Sequence, residues 1–239
     1  RRQTLLFSAT FAPEIQRVAS RYMRADYAKV EVGRVGSAID SISQELVLAS
    51  SAGRSSKLAL LRPLITPGER TIVFVQKKHV AAWVRAQLDK AGVPCADIHG
   101  GRSQSQREAA LRDFREGAIE VLVATDVASR GIDVPDVSHV IQFDLPISAD
   151  EMDTYVHRIG RTGRAGRRGR ATALFVPGDE PKVGNGPLWD ALAALLDENR
   201  QPLPEWFLNC QPPQSKRQVA VASGEGGATR LVPVGQEVK

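Results

Sequence analysis

Arg161 and Arg164 stand three residues apart in the segment His157-Arg158-Ile159-Gly160-Arg161-Thr162-Gly163-Arg164. On a helix or a helical turn, that spacing points two guanidiniums the same way. A guanidinium is always charged and can donate two parallel hydrogen bonds, which suits a phosphoryl group in transfer. Glycines at 160 and 163 would clear space beside the two arginines. From Arg158 to Arg170 there are six arginines and no acid. Such a run suits an anionic partner, whether phosphate, nucleic acid or lipid headgroup. A solvated surface run or a targeting signal is the other reading.

Two further segments carry groups of the same kind. Thr125 and Asp126 follow an apolar run, and Arg130-Gly131-Ile132-Asp133 comes just after. A hydroxyl at a strand end, facing a helix N-terminus, is a good phosphate ligand, and an acid nearby could hold a ribose hydroxyl. Alternatively, Asp126 caps a short helix and Asp133 sits in a turn before Pro135. Gly100-Gly101 precedes a capping-box pattern, Ser103 with Gln106. Two glycines let the backbone approach a ligand closely. Gln104 and Arg107 share a face of the helix that follows and could contact a phosphate or a sugar. A tight turn with a solvated helix face fits those residues equally well.

These residues need a scaffold, and the pattern of elements supplies one. TIVFV (71–75), CADIH (95–99), VLVA (121–124), HVIQF (139–143) and ATALFV (171–176) read as short, buried strands. Helical spacing lies between and around them: Val80, Val84 and Leu88 before Gly92, Leu111 and Phe114 before Gly117, then 150–159 and 188–196. Strand–helix alternation implies βαβ crossovers, a mostly parallel sheet and helices on both faces. Open parallel sheets bind ligands beyond the carboxyl ends of their strands. That places Gln76-Lys77-Lys78, Gly100 to Ser103, Thr125-Asp126 and Asp144-Leu145-Pro146 at one edge.

Composition narrows the class. The chain has 239 residues, 42% hydrophobic and 25% charged, with a net charge of +5. These values are globular and do not by themselves diagnose a nucleic-acid binder. No apolar run approaches the ~20 residues of a membrane-crossing helix. Two cysteines make no disulfide framework and suit a reducing, intracellular compartment, cytoplasm or nucleus alike. The histidines show no metal-ligand spacing. The chain opens RRQTLLFSAT without an initiator Met and reads as a fragment of something longer. Residues 1–35 hold an apolar run, Thr4–Phe7, and a helix opening at Pro13, with Ile15, Val18, Ala19 and Met23 at helical spacing. Residues 36–41 read as a linker, 42–207 as the main body, and 208–239, rich in Gly, Pro and Ser, as a disordered tail.

ATDVASRGID (124–133) and HRIGRTGR (157–164) resemble motifs V and VI of the DEAD-box RNA helicases of superfamily 2. TIVFV resembles motif IV, Gln104-x-x-Arg107 motif IVa, HVIQFDLP (139–146) the segment between V and VI, and Ser8-Ala9-Thr10 motif III. The wording is nearest the Vasa-like branch. The resemblance implies a RecA-like, P-loop NTPase-type three-layer sandwich. It also implies that 1–35 are the end of a first such domain, its last strand and helix with motif III, and that 42–207 are the second. The implied activity is RNA-stimulated ATP hydrolysis that remodels or unwinds RNA duplexes, with Mg2+ held mainly by the first domain. Arg161 and Arg164 would be arginine fingers on the γ-phosphate, groups worth about 10³–10⁵ in rate. Asp133, with Gly131 beside it, would contact the ATP ribose and the neighbourhood of the attacking water. Gly100, Gln104, Arg107 and Thr125 would hold RNA phosphates and 2′-hydroxyls, contacts that read backbone and not sequence. Ser8, Thr10, Arg130 and His157 would couple the two domains.

The chain departs from the family in three places. It has His99-Gly100-Gly101 where the family usually has HGD, and Gln142 where Asn is frequent. The segment from Pro146 to Tyr155 is longer by about three residues, which should lengthen the loop or first turn before motif VI. Neither a GxxxxGK[ST] P-loop nor a DEAD sequence occurs, so the chain alone should be inactive. Two other classes compete: a non-catalytic RNA clamp or scaffold, and a superfamily 2 DNA helicase. The first would show a degenerate P-loop upstream. The second would respond to DNA as it does to RNA.

Overall fold

The computed structural model describes residues 2–8, 13–30, 41–126, 137–164, 166–180, 183–213, 219–221 and 230–232. The chain divides into two compact units, Arg1–Ala38 and Ile39–Lys239. In the first, helix α1 (Pro13–Tyr22) opens at a proline, where the missing N–H costs nothing. Only Ala19 of its expected apolar stripe is buried, while Val18 is exposed. Residues 4–7, the other apolar run, form no strand. A strand needs a neighbour to complete its ladder, and this unit has none among its described residues.

The second unit is built on one six-stranded sheet in the order β1-β6-β5-β2-β4-β3, every pairing parallel. Its strands are β1 (Ile42–Leu48), β2 (Thr71–Phe74), β3 (Cys95–Ile98), β4 (Val121–Ala124), β5 (His139–Gln142) and β6 (Gly169–Phe175). Its helices are α2 (Arg54–Leu64), α3 (Lys78–Lys90), α4 (Gln104–Glu116), α5 (Met152–Ile159), α6 (Trp189–Glu198) and α7 (Glu205–Leu208). This is the expected α/β sandwich, with the central sheet wholly parallel.

Strand alternation decides which helix each residue meets. Val73, Val75, Val121, Val123, Ile141 and Phe143 pack with α2 and α3 residues such as Leu61, Val80, Val84 and Leu88. Their neighbours Ile72, Phe74, Leu122, Ala124 and Val140 point the other way, onto Ala110 and Phe114 of α4. On that second face Ala171, Ala173 and Phe175 of β6 meet Tyr155, Ile159, Trp189, Leu192 and Phe207. The central strands are therefore apolar on both faces, as buried parallel strands must be. Each fully buried branched side chain contributes about 1.5–3 kcal/mol.

β1 and α2 are not among the expected elements. β1 alternates buried and exposed residues, but Gln44 occupies an inward position and breaks the apolar pattern. Its amide is held there: Tyr155 Oη donates to Gln44 Oε1 at 3.0 Å, and the backbone N–H of Gln44 donates to Gln201 Oε1. In the stretch read as a disordered tail, β7 (Val219–Val221) and β8 (Arg230–Val232) pair antiparallel.

Candidate functional site

The register of the sheet sets the site. Ile98, Ala124, Phe74 and Gln142 lie side by side at the ends of β3, β4, β2 and β5. The residues that follow leave one edge together, with Thr125 N donating to Ile98 O, Val75 N to Ala124 O and Asp144 N to Phe74 O.

Two buried cations clamp this edge. Arg158 of α5 is 3% exposed and donates through Nε and Nη2 to both oxygens of Asp126, at 2.7 and 2.8 Å. Its Nη1 donates to Gln142 Oε1 at 3.1 Å and to the carbonyl of Asp144 at 2.6 Å, and the guanidinium lies over the Phe74 ring. The departure to Gln142 thus supplies an acceptor that reaches Arg158. Lys57 of α2 is buried as well, and its Nζ donates to Phe143 O at 2.9 Å and to Asp144 Oδ1 at 3.0 Å. Asp144 Oδ2 accepts from Gln76 N, and the Gln76 side chain donates to Leu145 O. The ends of β2, β4 and β5 are thereby tied to α2 on one face and α5 on the other. A buried cation left without partners would be costly, and here each meets a carboxylate and at least one backbone carbonyl.

At β3 and β4 stand the four residues read as RNA contacts. Thr125 is buried directly after β4. Gly100 follows His99 at the end of β3. Ser103 caps α4 with the expected capping box: its hydroxyl accepts from Gln106 N, and Gln106 Oε1 accepts from Ser103 N. Gln104, in the first turn, donates to Glu108 Oε1 at 2.7 Å and accepts a long bond from Arg107 Nη1 at 3.4 Å. Arg107 Nε is buried without a hydrogen-bond partner.

Arg161 and Arg164 do not lie at this edge. α5 runs back down the sheet, and Thr162 Oγ1 donates to the carbonyl of Val137 at 2.5 Å, just ahead of β5. Ser41 Oγ donates to Gly163 O, ahead of β1. The turn carrying the arginines is thus pinned at the amino ends of β5 and β1. Arg161 Nε donates to His157 O and Arg164 Nε to Gly160 O, each to the carbonyl four residues back. His157 is exposed on the same helix. The glycine spacing has a reason other than room for a ligand. Gly163 sits at φ +68°, and a Cβ there would stand 2.6 Å from Ile42 Cγ1. Gly160 caps the end of α5 at φ −65° and ψ 5°, and a Cβ there would crowd Val156 O at 3.2 Å.

Asp133, Gly131, Arg130 and Thr10 lie outside the described residues. Ser8 is exposed in the first unit. The longer segment before α5 is taken up by a 3-10 turn, Ala149–Glu151, with Ile147 N donating to Glu151 Oε2. Sequence reasoning assigned no role to Lys57, Asp97 or Arg158. Strand-end position could have flagged Asp144 as an anchor, whereas Lys57 carries no signal in the middle of a helix. Burial pushes the Cys95 thiol up to about 11, so it is no nucleophile at neutral pH.

A RecA-like parallel sheet with a basic turn after α5 defines the class, and residues 56–166 match the family model described as helicase conserved C-terminal domain. Over 237 residues the chain is 44% identical to the DEAD-box ATP-dependent RNA helicase 52A of Oryza sativa subsp. japonica, covering 96% of this chain and 37% of that protein. It is 40% identical to the ATP-dependent RNA helicase vasa of Drosophila melanogaster, covering 94% and 31%. Among solved structures, E. coli DEAD-box protein SrmB bound to regulator of ribonuclease activity A is 46% identical with a TM-score of 0.51, covering 56% of this chain and 78% of that one. S. cerevisiae Dbp5 bound to RNA and ADP BeF3 is 30% identical with a TM-score of 0.65, covering 82% and 49%. The chain belongs to the DEAD-box family. It spans about a third of the length of the curated relatives it matches.

Proposed function

We propose that the protein to which this chain belongs is an ATP-dependent RNA helicase, an ATPase stimulated by RNA that remodels or unwinds short duplexes. The observation that carries this reading is the pinned turn bearing Arg161 and Arg164, set apart from the carboxyl edge bearing Gly100, Gln104, Arg107 and Thr125. Two anion-seeking surfaces on one rigid body allow ATP and RNA to be held at once and to bias a common closed state. Arg161 and Arg164 neutralise charge on the γ-phosphate during transfer. Asp133 and Gly131 hold the ribose side of ATP. Ser8, Thr10, Arg130 and His157 transmit closure between this domain and the preceding one. The RNA set reads phosphate and 2′-hydroxyl, so binding is indifferent to base sequence.

Mg2+ accompanies ATP in this proposal. Among the described residues no three His, Cys, Asp or Glu converge to hold it, and none of them is assigned to it. Nor, among the described residues, is any helix long and apolar enough to cross a membrane. Both cysteines are free, and we place the protein inside the cell. The test is phosphate release by the full-length protein with no nucleic acid, with single-stranded RNA and with DNA of equal sequence. Stimulation by RNA alone is expected, and its absence rejects the reading.

A further inference from the structure

Asp97 is 6% exposed at the last-but-one position of β3. Arg102 Nε and Nη2 both donate to its Oδ1, at 3.0 and 2.6 Å. Its Oδ2 lies 3.1 Å from His99 Nε2, close but out of line for a hydrogen bond. His99 Nδ1 in turn accepts the backbone N–H of Gly101 at 3.0 Å, so in the neutral ring the proton sits on Nε2, facing the carboxylate. The backbone closes the same turn, with Arg102 N donating to His99 O. Asp97 therefore holds the residue after the Gly100-Gly101 turn, Arg102, by two hydrogen bonds and faces the residue before it, His99.

Residue 101 lies tight against the same ring. A Cβ on Gly101 would stand 3.1 Å from His99 Cε1 and Nδ1. We propose that Asp97 is a positioning residue for RNA. From inside the strand its carboxylate holds Arg102 by two hydrogen bonds and faces His99, and so fixes the turn that presents Gly100 to the RNA backbone. The proposal rests on the RNA reading of this edge.

The test measures RNA-stimulated phosphate release by the full-length protein against oligouridylate concentration. In Asp97→Ser the RNA needed for half-maximal stimulation rises about tenfold, as for a lost charge-assisted hydrogen bond, while turnover at saturating RNA stays within about twofold of the parent. Gly101→Asp alone also raises the RNA requirement, because it displaces His99. An unchanged RNA requirement in Asp97→Ser overturns the proposal. So does a loss of saturating turnover with a lowered Tm, which would mark Asp97 as a fold residue only. Arg107→Ala serves as the control. If it weakens RNA binding and Asp97→Ser does not, this inference alone fails. If neither changes RNA binding, the RNA reading of the edge fails and takes this inference with it.

Discussion

Arg164 and Arg107 are both arginines in a basic domain, yet they stand in different places, and the proposed reading gives them different work. Arg164 follows a turn pinned to the carbonyl of Val137, ahead of β5, whereas Arg107 lies on α4 beyond the end of β3. Arg164→Ala in the full-length protein should therefore cut RNA-stimulated turnover at least about a hundredfold while leaving RNA affinity nearly unchanged. Equal turnover in variant and parent would remove it from the ATP site. His139 gives a residue-scale test of stability. It is fully buried in β5, with Nε2 paired to Thr172 Oγ1 at 2.8 Å and Nδ1 without a hydrogen-bond partner. Burial, and then the positive charge of Arg170, push its pKa down from 6.5 to about 4. The folded state keeps it neutral while the unfolded chain protonates it near pH 6.5. Stability is therefore complete above that pH and falls as pH drops toward 4, by about 3 kcal/mol at most. Urea midpoints of this chain between pH 4 and 7 should show that slope, and His139→Gln should flatten it relative to the parent.

Helix α5 is a lever between the two proposed surfaces, because Arg158 reaches the carboxyl edge while Thr162 is fixed near the amino ends. Removing Arg158 takes from Asp126 the two guanidinium donors at 2.7 and 2.8 Å, and from Gln142 and the Asp144 carbonyl their shared donor. A fully buried pair broken on one side costs about 3–5 kcal/mol, and Asp126 is 30% exposed, so water recovers part of that. Arg158→Met should lower the unfolding free energy of this chain by about 2–4 kcal/mol in urea, while Arg158→Lys, which keeps the charge and loses the fork, should lie between. A neutral Arg158→Met would show the clamp to be decorative. The same helix shows what the sequence could and could not carry. β2 to β6, the α4 capping box and the basic turn were legible because apolar runs, caps and arginine spacing are local. β1 was not, since Gln44 takes a core position that only Tyr155 and Gln201, far along the chain, make tolerable. The meaning of Gly163 was misread for a similar reason: its crowding comes from Ile42, 121 residues away. Lys57 and Arg158 look like ordinary helix cations until the crossovers bring Asp144 and Asp126 to them.

For the whole molecule, the decisive fact is which chemical groups are present at all. Phosphoryl transfer of this kind needs a cradle for the β- and γ-phosphates with its lysine, and acids that place the metal. The sequence contains neither GxxxxGK[ST] nor DEAD, and its relatives are about three times longer. What the chain does contain fits the complementary half on the proposed reading: two arginines on a locked turn and, on a sheet anchored from both faces, an edge proposed to read RNA backbone. Arginine fingers lower a barrier only for a phosphate that something else holds in line. The 239-residue chain by itself should therefore release no phosphate from ATP above background, with or without RNA. Its RNA affinity should be weak and steeply reduced by salt, since the proposed contacts are few and their attraction is to phosphate. Phosphate release and fluorescence anisotropy with labelled oligouridylate at two salt concentrations measure both quantities. ATP turnover by the isolated chain would mean that the transfer machinery lies within these residues, and the division of labour argued from Arg161, Arg164 and the α4 edge would have to be abandoned.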